Sequence, residues 1–414
     1  MILGGGTGGT LVANRLRRRL GPDAQITVVD RDDEHVYQPG LLFVPFGLAD
    51  PVSVVRSRAA QLGDGIHLLV DAVDRVDTAA NEVRLSDGSL LGYDVLVIAT
   101  GARLVPGETE GLTGAGWGER VFTFYDLEGA TALREALAAF DGGRLVVSFA
   151  DLPIKCPVAP LEFAFLADWF FTERAIRDRV RLTFVTPLDG AFTKPVASRT
   201  LGGLLEEKGV ELVTEFATGE VDGAAGILRS YDEREVPFDL LVTVPLHAGA
   251  EYVERSPGLG DELGFVPTDP HTMQARAAEN VFVIGDAANV PTSKAGSVTH
   301  FEGETVVANI ERHLAGRPLQ DSYDGHANCF IETGFGKALL IDFNYETEPL
   351  PGRFPEPHVG PLPLLRESRL NHMGKLMFEW VYWHLLLPGR EMPGISDQMQ
   401  TAGKARPQTE ETSK

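Results

Sequence analysis

The chain opens on Met1-Ile2-Leu3 and runs straight into Gly4-Gly5-Gly6-Thr7-Gly8-Gly9, a stretch that restricts the fold more than anything after it. Gly4, Gly6 and Gly9 have the spacing of a phosphate-binding turn between a strand and a helix. The first glycine permits the tight turn. The second lets backbone approach a pyrophosphate, and the third lets helix and strand pack closely. The helix that follows carries Leu11, Leu16 and Leu20 toward the core. The next strand, Ile26 to Asp30, ends in an acid suited to a ribose hydroxyl pair. Strand, glycine turn, helix and terminal acid in this order predict a dinucleotide-binding unit, although the opening strand is short for one.

Two later stretches complete the pattern. Residues 73–91 alternate and contain the turn Ser86-Asp87-Gly88-Ser89, which predicts a small antiparallel meander. After it, the buried run from Tyr93 ends in Ala99-Thr100-Gly101. Much later the run from Asn280 ends in Gly285-Asp286. Asp286 is either a plain helix N-cap or a partner for the ribityl chain of a flavin. Three such markers in sequence predict FAD, with Gly4, Gly6, Gly9, Asp30, Thr100, Gly101, Gly285 and Asp286 among its contacts. Lys294 is either a surface lysine or a cation at the flavin ring edge that stabilises the reduced form. The loop His35 to Leu41, with Pro39 in it, either reaches the flavin ring or is a simple hydrophobic crossover.

Between Thr100 and Asn280 a second α/β segment is inserted. Helices are expected at 130–140, 161–174 and 198–208, and strands at 145–149, 180–185, 210–213 and 238–244. This is the layout of a second dinucleotide-binding domain. Yet the strand at Leu145 is followed by Ala150-Asp151-Leu152-Pro153 and no glycine turn. Proline lacks the backbone N–H that a phosphate needs, so a nicotinamide cofactor is not expected there.

What stands in that place is Lys155-Cys156-Pro157. The chain has only two cysteines, Cys156 and Cys329. That excludes a disulfide scaffold and any four-cysteine zinc or iron–sulfur centre, and no metal is expected. Either the two are unrelated core residues, or Cys156 is a thiol beside the flavin whose thiolate Lys155 favours. Glu162, at the start of the next helix, is either a helix-dipole acid or a buried carboxyl with a raised pKa that moves protons. Beyond Cys329, the Gly334-Phe335-Gly336 turn is expected to approach the flavin.

The net charge of −22 argues against nucleic acid, which needs a basic footprint. No run is long enough to span a bilayer, and no signal peptide is visible at the start. Near the C-terminus, Met373, Leu376, Trp380, Trp383 and Leu387 recur at helical spacing, flanked by Arg366, Arg369, Lys375 and Arg390. This is either a core or dimer helix or an amphipathic helix lying in a membrane interface.

Taken together, Lys155-Cys156-Pro157, Ala159-Pro160, Glu162, Cys329-Phe330 and the aromatic C-terminal helix resemble the sulfide:quinone oxidoreductases, relatives of flavocytochrome c sulfide dehydrogenases. The resemblance runs from Gly4 to about Pro388. It implies a glutathione-reductase-like fold with two Rossmann-like domains and a C-terminal membrane-associating region. It implies that FAD takes electrons from sulfide and passes them to membrane quinone. Cys156 and Cys329 match the family's sulfur-relaying pair, with Glu162 managing protons. Phe330 and Phe378 match the aromatic rings around the quinone, and Lys375 joins them as a quinone-site residue. Many members carry a third cysteine before the position of Lys155; this chain has none, which leaves product length and release open. The expected location is a peripheral, monotopic membrane protein, and a homo-oligomer is compatible with the chain. A cytochrome-reducing subunit and a type II NADH:quinone reductase are the alternatives.

The expected division is a first part of the FAD domain at 1–105, the second Rossmann-like domain at 106–240 and the rest of the FAD domain at 241–315. A quinone and membrane region follows at 316–400, and a disordered tail at 401–414.

Overall fold

The computed structural model describes residues 1–355, 360–390, 395–402 and 404. Two five-stranded parallel sheets organise it. In the first, the strands lie in the order Val281–Val283, Leu96–Ile98, Ile2–Leu3, Ile26–Asp30, Ile66–Val70. Ile2 pairs with Val28 on one side and Val97 on the other, so the short opening strand is central. The chain moves outward from it in both directions, which makes its carboxyl end the topological switch point where α/β sheets bind ligands. Asp30 ends its strand, and Gly4, Thr100 and Gly285 follow the carboxyl ends of theirs.

The strands are near-continuous apolar runs because both faces of the sheet are covered. Leu3, Leu96, Ile98, Val281 and Val283 are all essentially inaccessible. The helix Thr7–Leu20 buries Leu11, Val12 and Leu16, while Leu20 is only half-buried. The expected meander forms as three antiparallel strands, Val73–Asp77, Glu82–Leu85 and Leu90–Gly92.

The second sheet has the order Val121–Phe122, Leu240–Val244, Gly143–Phe149, Val180–Val185, Val210–Val213, again all parallel. Its second strand extends to Val244, past the expected boundary at 240, because Leu240 to Val244 pair with Leu145 to Phe149 along their full length. The crossing between the two sheets is marked by Arg103–Leu104, which pairs antiparallel with His247–Ala248.

The C-terminal region is a hairpin, Ala327–Gly334 with Lys337–Phe343, followed by the helix Arg369–Val381. The hairpin lies along the helix Ala159–Glu173, and the C-terminal helix lies on the hairpin. A single π-helical turn, Tyr382–Leu386, ends the C-terminal helix. It changes the phase of the apolar pattern. Met373, Leu376 and Trp380 are more than half exposed, but Trp383 and Leu387 are buried. The five positions expected on one face therefore divide, because a π turn adds a residue to the helical repeat. Leu370 and Met377 complete the exposed stripe, at 50% and 61%. Among the described residues no helix is long and apolar enough to cross a membrane. Of the tail expected to be disordered, Thr401, Ala402 and Lys404 are described, and Lys404 is buried in an ion pair with Asp342; the remainder lies outside the described residues.

Candidate active site

The glycine turn is built for a close backbone approach. Gly4 has φ +90°, and a Cβ on Gly9 would lie 1.8 Å from the Gly4 carbonyl oxygen. A Cβ on Gly6 would meet nothing within 4 Å, so its face is open to a ligand. Gly6 caps the helix Thr7–Leu20 without any side-chain hydrogen bond. The helix N-terminus thus keeps its partial positive charge for an anion. A second uncapped N-terminus, that of the helix Gly296–Leu314, starts at another open glycine, Gly296.

Asp30 is held in place at the end of its strand. Its Oδ2 accepts from Gly5 N at 2.6 Å and lies 3.1 Å from the Arg58 guanidinium; its Oδ1 accepts from Arg31 N at 2.8 Å. A carboxylate offers about four acceptor sites, so one remains for a ribose hydroxyl. Sequence reasoning missed Arg58, whose aliphatic carbons pack where a Gly5 side chain would be; an arginine in a loop carries no signal for that role.

Thr100 contacts the Tyr252 hydroxyl at 3.2 Å, and Gly101 opens onto free space. Gly285 has φ +71° and donates to Glu302 Oε2 at 2.6 Å. Glu302 was also missed. It is buried beside Asp286, and burial pushes its carboxyl up to about 8. Burial raises Asp286 as well, against the pull of Lys294 and Lys155. The Lys294 ammonium donates to the carbonyls of Asp286 at 2.8 Å and Ala288 at 3.0 Å and lies over the Phe265 ring. Its contacts hold the Gly-Asp turn. The glycine face, the two uncapped helix ends and the spare acceptor on Asp30 together fit a flavin dinucleotide.

The loop from His35 splits in two. His35 turns inward, with one ring nitrogen 3.2 Å from Gly5 O and the other 2.6 Å from the Tyr382 hydroxyl. Pro39 lies in a short 3-10 turn, Gln38–Leu42, and the preceding Gln38 accepts from Lys155 at 3.4 Å. The loop therefore meets the thiol segment.

That segment leaves the second sheet at Phe149 and crosses to the first domain. Lys155 and Lys294 form an isolated parallel bridge, and Cys156 N donates to Lys294 O. Cys156 has φ +46°, a left-handed conformation that costs a non-glycine residue about 1–3 kcal/mol. The Tyr125 hydroxyl donates to its carbonyl at 3.1 Å. Burial first, then Glu162, pushes the Cys156 thiol up to about 12. The expectation that Lys155 makes it a thiolate is corrected: Lys155 faces Asp286 and Asp126, and desolvation outweighs any charge beside the sulfur.

Cys329 reaches the same place from the hairpin. It is buried, and its thiol is raised by burial and then by Cys156 and Glu162. The two sulfurs are thus electrostatic neighbours, though neither is in a disulfide.

Glu162 is 2% exposed and ion-paired to Lys375 of the C-terminal helix, and its Oε1 accepts from Glu332 N at 2.6 Å. Burial raises its carboxyl, with Lys375 the main opposing influence. Lys375 also donates to Phe330 O at 3.3 Å. It is drawn inward and is not a flanking surface cation, whereas Arg366, Arg369 and Arg390 are exposed. Phe330 is half-buried under the same helix, where Gly374 leaves room for its ring; Phe378 is half-buried one turn further on.

The Gly334-Phe335-Gly336 turn is not at this site. Gly334 packs on Trp169, and Lys208 lies 4.8 Å from the Phe335 ring centre. The hairpin runs along the helix Ala159–Glu173, and the helical rise from Ala159 to Trp169 carries the turn about 15 Å away.

A double parallel sheet with a dinucleotide cradle at its switch point, and thiols beside it, defines an FAD-dependent oxidoreductase of the two-dinucleotide fold. Residues 1–148 match the pyridine nucleotide-disulphide oxidoreductase family. The chain is 27% identical to the mitochondrial sulfide:quinone oxidoreductase of Mus musculus over 399 residues, 94% of this chain and 86% of that one. It is 28% identical to the mitochondrial protein of the same name from Dictyostelium discoideum, with the same coverage. The solved sulfide:quinone oxidoreductase of Aquifex aeolicus superposes with a TM-score of 0.79 at 22% identity, covering 94% of this chain and 91% of that one. Over nearly its whole length the chain is similar to sulfide:quinone oxidoreductases, and its cofactor is FAD.

Proposed function

We propose that this chain oxidises hydrosulfide to zero-valent sulfur at Cys156 and Cys329 and delivers the two electrons to a membrane quinone. The observation that carries the reading is the convergence of both thiols, Glu162 and Lys375 beside the dinucleotide cradle, where a second glycine turn is missing. Bound FAD supplies the two-electron relay between sulfur and quinone.

The burial of both thiols supports one order of events. A buried thiol pushed up to about 12 is a poor nucleophile at neutral pH. Hydrosulfide is therefore the attacking species, and a bridged Cys156–Cys329 pair is its target. Attack breaks the S–S bond and leaves a persulfide on one cysteine and a thiolate on the other. Lys375 lowers the pKa of both thiols, so it stabilises that thiolate. Closure of the thiolate onto the persulfide forms a three-sulfur bridge, releases one proton and gives up two electrons. Glu162 holds the proton at Oε1 or Oε2 between the thiols and Lys375.

Phe330, Phe378 and Lys375 line the quinone side in this reading. Gly374→Ala tests it directly, since the new Cβ would lie 2.9 Å from the Phe330 ring. The expected result is a several-fold higher KM for quinone, with sulfide-driven flavin reduction unchanged. A KM equal to that of the wild type removes Phe330 from the quinone site.

The exposed stripe Leu370, Met373, Leu376, Met377 and Trp380 supports a peripheral attachment to the membrane surface, with the stripe in the interface. Leu376→Glu with Trp380→Glu is expected to abolish co-sedimentation with phospholipid vesicles while soluble quinone is still reduced. Undiminished co-sedimentation rejects the attachment.

Anaerobic titration of the yellow protein separates this function from its rivals. Sulfide is expected to bleach the flavin and quinone to restore it. Bleaching by NADH alone would favour a type II NADH:quinone reductase, and reoxidation by cytochrome c but not quinone a cytochrome-linked subunit.

A further inference from the structure

The C-terminal helix docks a lysine and a histidine onto two buried acids. Lys375 pairs with Glu162, as described above. One turn earlier His372 Nδ1 lies 3.0 and 2.9 Å from the two carboxylate oxygens of Glu332. In each pair the base is the more exposed partner: His372 is 26% exposed against 2% for Glu332, and Lys375 11% against 2% for Glu162. The backbone N–H of Glu332 donates to Glu162 Oε1, which fixes the two residues beside each other. Glu332 also acts on Glu162 through space, as one of the influences that raise its carboxyl.

The helix has anchors besides these two pairs. Its start is already secured by Ser368, which accepts from Asn371 N, and by Asn371, which donates to Pro363 O and Arg366 O. A histidine clamped to a buried glutamate at the rim of a site is an arrangement that moves protons, because imidazole exchanges them at either nitrogen near neutral pH.

We propose that His372 and Glu332 form the outer end of a proton path from solvent to the Glu162–Lys375 pair. The proposal rests on the functional reading above, in which quinone takes two electrons and two protons to become quinol. Oxidation of one hydrosulfide to zero-valent sulfur yields two electrons and one proton, so at least one proton per turnover comes from solvent. His372 gives its Nδ1 proton to the Glu332 carboxylate, regains one from solvent at Nε2, and returns to its resting Nδ1–H tautomer by proton exchange with solvent before the next turnover. Glu332 passes the proton inward to the Glu162–Lys375 pair, which delivers it to the reduced quinone. No electrons move in these steps. The charged groups facing this end of the helix are Glu332 and Glu162 from beneath, Lys375 on the helix itself, and Arg366, Arg369 and the Lys337–Glu367 pair at its start. Asp342 on the same hairpin is occupied by His326 and Lys404.

The test uses full-length holoenzyme reduced with dithionite, so that it does not depend on sulfide. Reoxidation by a soluble short-chain quinone is followed against reoxidation by ferricyanide, which takes electrons without protons. In His372→Gln, quinone reoxidation is expected to slow on the order of tenfold or more above pH 7 and to recover on adding imidazole. Ferricyanide reoxidation stays at the wild-type rate. Glu332→Gln is expected to slow the quinone reaction without imidazole rescue. Isotope-labelled histidine NMR provides a readout independent of turnover: neutral His372, assigned by its loss in His372→Gln, is expected in the Nδ1–H tautomer that the contact with Glu332 demands. A wild-type quinone rate and pH profile in His372→Gln overturns the path, as does an Nε2–H tautomer or equal slowing with ferricyanide. Failure of sulfide to bleach the wild-type protein strikes the functional reading, and the dithionite experiment still decides the path.

Discussion

Cys156→Ser is expected to abolish sulfide-driven bleaching of the flavin, a loss on the order of a thousandfold or more, and Cys329→Ser is expected to do the same. A serine oxygen cannot join a chain of sulfurs, so the bridge that hydrosulfide attacks no longer forms. The fold should tolerate the exchange. Serine is close in size, and the backbone bond from residue 156 to Lys294 and the Tyr125 contact to its carbonyl do not involve the side chain. Anaerobic stopped-flow spectroscopy measures the effect, with flavin content as the control for folding. Full sulfide-dependent reduction in either variant would sink the two-thiol mechanism.

The second large effect concerns stability. Lys375→Met leaves Glu162 buried without its partner, and breaking a buried ion pair from one side costs about 3–5 kcal/mol. The cost depends on pH in a definite direction. Burial already raises Glu162, and Lys375 is the main influence holding that rise in check, so the variant raises it further. A carboxyl whose folded pKa lies above its unfolded value of about 4.5 favours the folded state when protonated. Stability is then lost as pH climbs from the unfolded value toward the folded one. The gap between Lys375→Met and wild type should therefore be small near pH 5 and grow toward pH 8. Urea unfolding across that range checks it. Adding Glu162→Gln should recover most of the loss, because it removes the unpaired charge. A gap that does not change with pH would mean that Glu162 and Lys375 are not an energetic pair.

Much of the first domain was legible because its signals are local. Gly9 has to be glycine since the Gly4 carbonyl occupies the place of its Cβ, and the conflict lies within six residues of sequence. The parallel strands were legible for the same reason: each is a short apolar run bounded by a turn. The elements of the inserted domain were found within a few residues, including the exit strand's end at Val244, while its start moved from 238 to Leu240, where pairing with Leu145, 95 positions away, begins.

The C-terminal helix shows where a periodic reading stops. Met373, Leu376 and Trp380 were correctly set on one face. Trp383 and Leu387 were not, because a π turn starting at Tyr382 re-phases the pattern. Nothing local announces that turn. It brings Tyr382 to hydrogen-bond Thr7 and His35, residues at the other end of the chain.

Sequence by itself determined the dinucleotide cradle, the absence of a second glycine turn and the two thiols. Each is a matter of which residue stands at which spacing, and backbone sterics do the rest. Only the tertiary structure decided the state of those thiols. Lys155 is the neighbour of Cys156 in sequence, yet it is bound elsewhere, and burial sets the sulfur's pKa. Glu162 is likewise governed by Lys375, which lies 213 positions away. Charge and solvation act through space, so their effects follow from the packing of helix, hairpin and sheet and not from adjacency along the chain.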